Sequence, residues 1–129
     1  MALYSASLES IGIPTRILLI PGHMFLMFAT GVEAQSDGYT MNDMYVAHDG
    51  MLWIPVEATV VGKSFVKAWE SGAAAYYREK AKGALSVFDV HEAWAKFKPA
   101  SLPDDNWKAT AVTRDGIETT FPGDMLSVV

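Results

Sequence analysis

The sequence predicts an α+β domain, an antiparallel β-sheet packed against helices, on two observations. Apolar, β-rich runs come in pairs around two-residue turn signals: 15–20 and 23–30 flank Pro21-Gly22, 43–48 and 51–57 flank Asp49-Gly50, and 110–114 and 117–121 flank Asp115-Gly116. Turns that short join antiparallel neighbours. Between and around these runs, residues 2–11, 65–82 and the stretch between Asp89 and Pro99 carry apolar side chains at helical spacing.

Taken in order, residues 2–11 present Leu3, Tyr4, Ala6, Leu8 and Ile11 as a helical apolar stripe, with Gly12 as C-terminal cap and Pro14 as stop. No N-cap residue opens this helix, so it is expected to begin upstream of Met1. Residues 15–20 (TRILLI) form the first strand. Residues 23–30 (HMFLMFAT) are apolar on both faces, as a central strand requires. Residues 31–42 are polar and glycine-containing and read as a loop. The Asp49-Gly50 turn pairs His48 with Met51, Val46 with Trp53 and Met44 with Pro55. Pro55 has no N–H, so its donor position must face outward or sit at a bulge. Ser64 caps a helix over 65–82 that Gly83 ends, with Phe65, Ala68, Trp69, Ala73 and Tyr76 in register. Val87-Phe88 is short and extended. Asp89 followed by Glu92 makes a capping-box-like start to a helix carrying Ala93, Trp94 and Phe97, closed by Pro99. Residues 101–106 are a loop, and the closing MLSVV is a final strand or a tail.

With 129 residues, half of them hydrophobic, the chain has material for one core, and residues 1–129 read as a single domain. The formal net charge is −5, and the ten basic residues are dispersed among fifteen acids. That excludes the basic stripe nucleic acid requires and makes an anionic membrane surface a poor partner. The longest apolar run, 17–29, is interrupted by Pro21-Gly22 and His23 and is too short to cross a bilayer, so no membrane insertion is expected. MALYSASLESIG lacks the positive start of a signal peptide, so the chain reads as soluble. There is no cysteine, which excludes disulfides, thiolate zinc sites and a thiol nucleophile within these residues.

Three stretches in order carry a family resemblance: ALYSASLESIGIPTRILLI with its Gly12-Ile13-Pro14 break, GHMFLMF from Gly22, and HDGMLWIPVEAT ending at Thr59. Residues 3–59 resemble the bacterial transglutaminase-like domain, a relative of the papain-type cysteine proteases. The resemblance implies a truncated form of that fold, in which the first stretch is the second half of the central helix. It places the family histidine at His23 and the family acid at Glu57, with Trp53, Pro55 and Val56 completing a W-x-P-V-acid pattern. Residues 64–103 look only vaguely like extensions found beside such domains. The chain departs from the pattern in three ways. The family cysteine, near the start of the central helix, falls before Met1. The acid is Glu57 where the family usually has aspartate. His23 and Glu57 are 34 positions apart, because of the stretch near 31–42.

Such chemistry needs a thiolate at a helix start, a histidine to move the proton and an acid to orient the histidine. His23 begins one strand and Glu57 ends an antiparallel one, so both fall at one edge of the sheet. The plainer alternatives are a polar strand-start residue for His23 and a solvated strand-end acid for Glu57. His48 beside its turn reads as surface. His91-Glu92 fails the HExxH pattern because position 95 is alanine. A metal site from His23, Glu57 and His48, or a serine substitute at Ser5 or Ser7, is a weaker alternative. Trp53, Trp69, Trp94, Trp107, Tyr76 and Tyr77 fit a core first, and a peptide- or glycan-binding shelf second. There is no Gly-rich phosphate loop or dinucleotide fingerprint, and no cofactor is expected.

The sequence thus points to part of a transglutaminase-like hydrolase or acyl-transfer domain, inactive without its cysteine, acting on peptide or amide bonds of a peptide or protein substrate. The rival is a non-catalytic binding module derived from that fold. The compartment is unassigned, with the periplasm or cell envelope expected where a signal sequence precedes Met1. A first helix short of its opening turns leaves apolar surface uncovered, and association hides such surface. A homo-dimer or larger species is therefore expected. Sedimentation of the 129-residue chain as a clean monomer at high concentration contradicts that expectation.

Overall fold

In a computed structural model, residues 1–35, 43–60 and 62–97 are described, all within the unit Met1–Lys98. They form α1 (Ala2–Ser10), β1 (Thr15–Ile20), β2 (His23–Glu33), β3 (Val46–His48), β4 (Met51–Val56), α2 (Phe65–Ala81), β5 (Ser86–Asp89) and α3 (Val90–Lys96). The expected loop core at 36–42, the hairpin at 110–121, Trp107 and the closing MLSVV lie outside the described residues.

The strands make one antiparallel sheet in the order β3-β4-β2-β1-β5. The fold is therefore α+β, and β2 is the central strand that its two-sided apolar sequence requires. Pro21-Gly22 closes the β1–β2 hairpin with Ile20 opposite His23. Asp49 and Gly50 both take positive φ (49° and 74°), the backbone that a tight two-residue turn between twisted strands needs. On one face the pleat gathers Leu18, Ile20, Phe25, Met27, Ala29, Val46 and Trp53 into the main core, joined by Ala75 and Tyr76 of α2. Burying each large side chain there contributes roughly 1.5–3 kcal/mol.

β2 runs longer than its sequence predicts. It continues through Gly31 (φ 77°) to Glu33, with a register shift between Ala29 and the Glu33–Met51 pair. A glycine at positive φ is what such a bulge calls for. The Thr30 hydroxyl supports it, donating to the Leu52 carbonyl at 2.8 Å and accepting from Val32 N–H at 3.1 Å.

β3 is shorter than predicted. His48–Met51 and Val46–Trp53 pair as expected, but the ladder stops there, and Met44 does not pair with Pro55. Helix α2 occupies that flank instead. Ala68 C=O accepts from Glu57 N–H at 3.0 Å, and Trp69 Nε1–H donates to Met44 C=O at 2.5 Å. The Tyr77 hydroxyl likewise donates to Tyr45 C=O. A proline strand end without its N–H suits an edge taken over by a helix rather than by a strand.

The helix ends follow the sequence more closely. Ser64 accepts from Lys67 N–H at 3.3 Å, and Asp89 Oδ1 accepts from His91 N–H at 2.8 Å and Glu92 N–H at 3.1 Å. The predicted faces of α1 and α3 are corrected. Leu3 and Ile11 of the expected α1 stripe are 81% and 71% exposed, while Ser5 is 4% exposed. The packed side of α1 is Met1, Tyr4, Ser5, Leu8 and Glu9, also helical in spacing but turned toward Thr15. The Ser5 hydroxyl lies 2.7 Å from that of Thr15, and Glu9 Oε1 accepts from Thr15 N–H at 2.5 Å and from its hydroxyl at 2.8 Å. In α3, Trp94 and Phe97 are exposed and Val90 alone is buried. Trp94 meets His91 of its own helix edge-on, with ring centroids 5.3 Å apart.

Gly72 is the close contact between α2 and β4. A Cβ there would lie 2.5 Å from the Pro55 carbonyl oxygen and 2.8 Å from Val56 N, both backbone atoms. Replacing a free helical glycine by alanine stabilises by about 1 kcal/mol. Gly72→Ala is expected to do the reverse, destabilising by about 1–3 kcal/mol as α2 is forced off β4, measured by urea unfolding. An unchanged or raised midpoint contradicts this packing.

Candidate functional site

The β2–β4 register sets Leu26 opposite Val56 and Met27 opposite Pro55. One step further, Glu57 falls beside Phe25, and His23 lies one pleat period along on the same face. Such diagonal neighbours are within reach of long side chains. Their side chains meet: His23 Nε2 is 2.5 Å from Glu57 Oε2. The imidazole lies nearly parallel to the Phe25 ring, centroids 6.3 Å apart and planes at 13°. Phe25 is fully buried, so the histidine rests on an immobile base.

Glu57 is the more enclosed partner, its side chain 12% exposed against 38% for His23. Its second oxygen, Oε1, accepts from Thr59 N–H at 3.0 Å and from the Thr59 hydroxyl at 2.6 Å. Burial pushes the Glu57 carboxyl up, but the bonds from the Thr59 hydroxyl, His23 and the Thr59 amide outweigh it and hold it below its ordinary 4.5. Glu57 is thus a carboxylate at neutral pH, a fixed acceptor for an imidazole N–H. With Nε2 engaged, Nδ1 is the ring nitrogen with no hydrogen-bond partner among the described residues.

Beside Glu57 lies a cleft of about 360 Å³. The start of α1 (Met1, Leu3, Tyr4) forms one wall, the start of α2 (Ser64, Phe65) another, and Glu57 lines it. Glu57 is the member of the pair that lines the cleft, and His23 lies behind it.

The remaining sequence candidates lie elsewhere. His48 sits at the opposite end of β4 from Glu57, about 20 Å along the strand, and its Nε2 is 3.3 Å from Asp49. The alternative metal set of His23, Glu57 and His48 is therefore not assembled, and no group of three such ligands occurs among the described residues. Ser5 is buried against Thr15, the Ser7 hydroxyl donates to Leu3 C=O at 2.8 Å, and neither lines the cleft beside Glu57. His91 pairs with Glu9 at 2.8 Å.

The sequence reading missed two features. Thr59, two positions after Glu57, was legible as a hydroxyl placed to bond a nearby acceptor. The Glu9–His91 pair joins residues 82 positions apart and had no local signal.

The lowered Glu57 carboxyl has a signed consequence. Its contribution to stability is complete above the ordinary 4.5 and is lost as pH falls through the lower folded value. In Glu57→Gln that contribution is absent at every pH, so the variant's stability falls less steeply than the wild type's below pH 4.5. Urea unfolding of both proteins from pH 7 to pH 3 checks this, and parallel curves contradict it. No family model, curated protein or solved structure matches the chain, so the reading of this site rests on its own geometry.

Proposed function

We propose that His23 and Glu57 are the proton-transfer half of a transglutaminase-like acyl-transfer or hydrolase site acting on amide bonds of a peptide or protein. The observation that supports this most is the 2.5 Å separation of His23 Nε2 and Glu57 Oε2, with Glu57 lining a cleft walled by the start of α1. Glu57 fixes the ring and stabilises the imidazolium, and Nδ1 exchanges the proton with the nucleophile and then the leaving amine. A nucleophile held at the start of α1 is favoured as thiolate by the helix dipole and a nearby imidazolium. The 129 residues contain no cysteine, so this reading requires the thiol to come from outside them. That same absence favours the second reading, a peptide- or glycan-binding module that uses the cleft without chemistry.

The two readings part on the complete native gene product. Under the first, it carries a cysteine that iodoacetamide alkylates readily at pH 6, and His23→Ala slows that reaction at least about tenfold. A native product without cysteine, or a thiol whose rate ignores His23→Ala, removes the catalytic reading. Chemical shifts around His23 that then respond to a peptide or glycan establish the binding module.

A further inference from the structure

We propose that Thr59 is the positioning residue of the His23–Glu57 pair, holding one carboxylate oxygen so that the other is aimed at the imidazole. The proposal rests on reading that pair as a proton-transfer unit, and it adds a residue that unit depends on.

A glutamate side chain has three torsions between backbone and carboxylate, so a strand-end glutamate samples many orientations. The structure holds Glu57 in one. Its main chain is tied on both sides: N–H donates to Ala68 C=O at 3.0 Å, and C=O accepts from Val60 N–H at 3.2 Å. The turn that the second bond closes swings Thr59 back toward the carboxylate. There the Thr59 amide and hydroxyl both donate to Oε1, at 3.0 and 2.6 Å. With Oε1 held twice, Oε2 has one direction left, and His23 Nε2 lies along it at 2.5 Å. Two donors on a carboxylate also favour its ionised form, the form that accepts the imidazole N–H. Of the influences that lower the Glu57 carboxyl, the Thr59 hydroxyl is the largest.

Among the described residues that hydroxyl makes no other hydrogen bond. Thr59 is exposed, and the turn keeps its own backbone bond without it. Removing the hydroxyl leaves no buried orphan and no core cavity. Its loss should be felt in the orientation and titration of Glu57, not in the fold.

The test is a pH titration of the Glu57 side-chain carboxyl by carbon NMR, with the imidazole N–H proton of His23 followed on the same samples. The 129-residue chain is compared with Thr59→Val, Thr59→Ala and Thr59→Ser. Thr59→Ala is included in case the branched valine disturbs the turn, and amide spectra report whether each variant keeps the fold. In the wild type and Thr59→Ser, Glu57 titrates below 4.5 and the His23 N–H gives a resolved downfield resonance. In Thr59→Val and Thr59→Ala the midpoint moves up toward 4.5 and the resonance broadens away. A folded Thr59→Ala that titrates like the wild type and keeps the resonance overturns the proposal. So does a Thr59→Ser that shifts as far as Thr59→Ala. Neither readout requires a thiol, so alkylation that ignores His23 would remove the enzymatic reading and leave this result standing on its own.

Discussion

The pairing of β2 with β4, with Leu26 opposite Val56, is the constraint on which the rest of this structure depends. It joins the central strand to the second hairpin. It also decides which side chains of both strands face the core. A slip of one residue turns every side chain of a strand to the other face. Either Phe25 and Met27 or Trp53 would leave the core they share with Tyr76, and His23 would no longer share a face with Glu57. The apolar burial that fixes the register is thus the same burial that assembles the pair. A site built this way costs the fold little, because its two residues sit where two buried strands begin and end.

Helix α2 completes what β3 leaves undone. A longer β3 would have paired along Pro55 and placed a strand beside Glu57. Gly72 instead lets the helix backbone approach the Pro55 carbonyl, and the bond from Glu57 N–H to Ala68 C=O ties the strand end to the helix. The start of α2 is thereby brought to the wall of the cleft that Glu57 lines. Proline at position 55 and glycine at position 72 are two halves of one arrangement. One has no donor for a neighbouring strand, and the other has no side chain to keep a helix away.

What could be read from the sequence was local. The turns at Pro21-Gly22 and Asp49-Gly50, the caps at Ser64 and Asp89, and the central place of β2 each follow from a few adjacent residues. The meeting of His23 with Glu57 was legible from strand order, because the start of one strand and the end of its antiparallel neighbour share an edge. What depended on distant partners was not legible. The stripe of Leu3 and Ile11 is as good a helical pattern as the side that packs, and Thr15 with Glu9 decides between them. The extension of β2 through Gly31 needed Met51 as partner for Glu33. The shortness of β3 needed α2, and no periodicity within 43–48 announces a helix lying across the next strand.

All three histidines of the chain stand beside a carboxylate, so an imidazole–carboxylate pair alone distinguishes nothing. What separates them is where each carboxylate sits and what each ring lies against. Asp49 is 64% exposed on a turn and shared with Arg16 at 3.8 Å, a solvated pair of small consequence. Glu9 is half-buried, and the amide and hydroxyl of Thr15 hold its Oε1 where α1 meets β1, just as those of Thr59 hold the Oε1 of Glu57. Its histidine, His91, is 65% exposed on a seven-residue helix, so that pair fastens α3 to α1. Only in His23–Glu57 are both conditions met. The ring rests on a buried phenylalanine at the start of the central strand, and the acid lines a cleft. A histidine that is to move protons needs a fixed ring, an ionised acid behind it and a bound group in front. The fold supplies the first two at His23 through burial and hydrogen bonding.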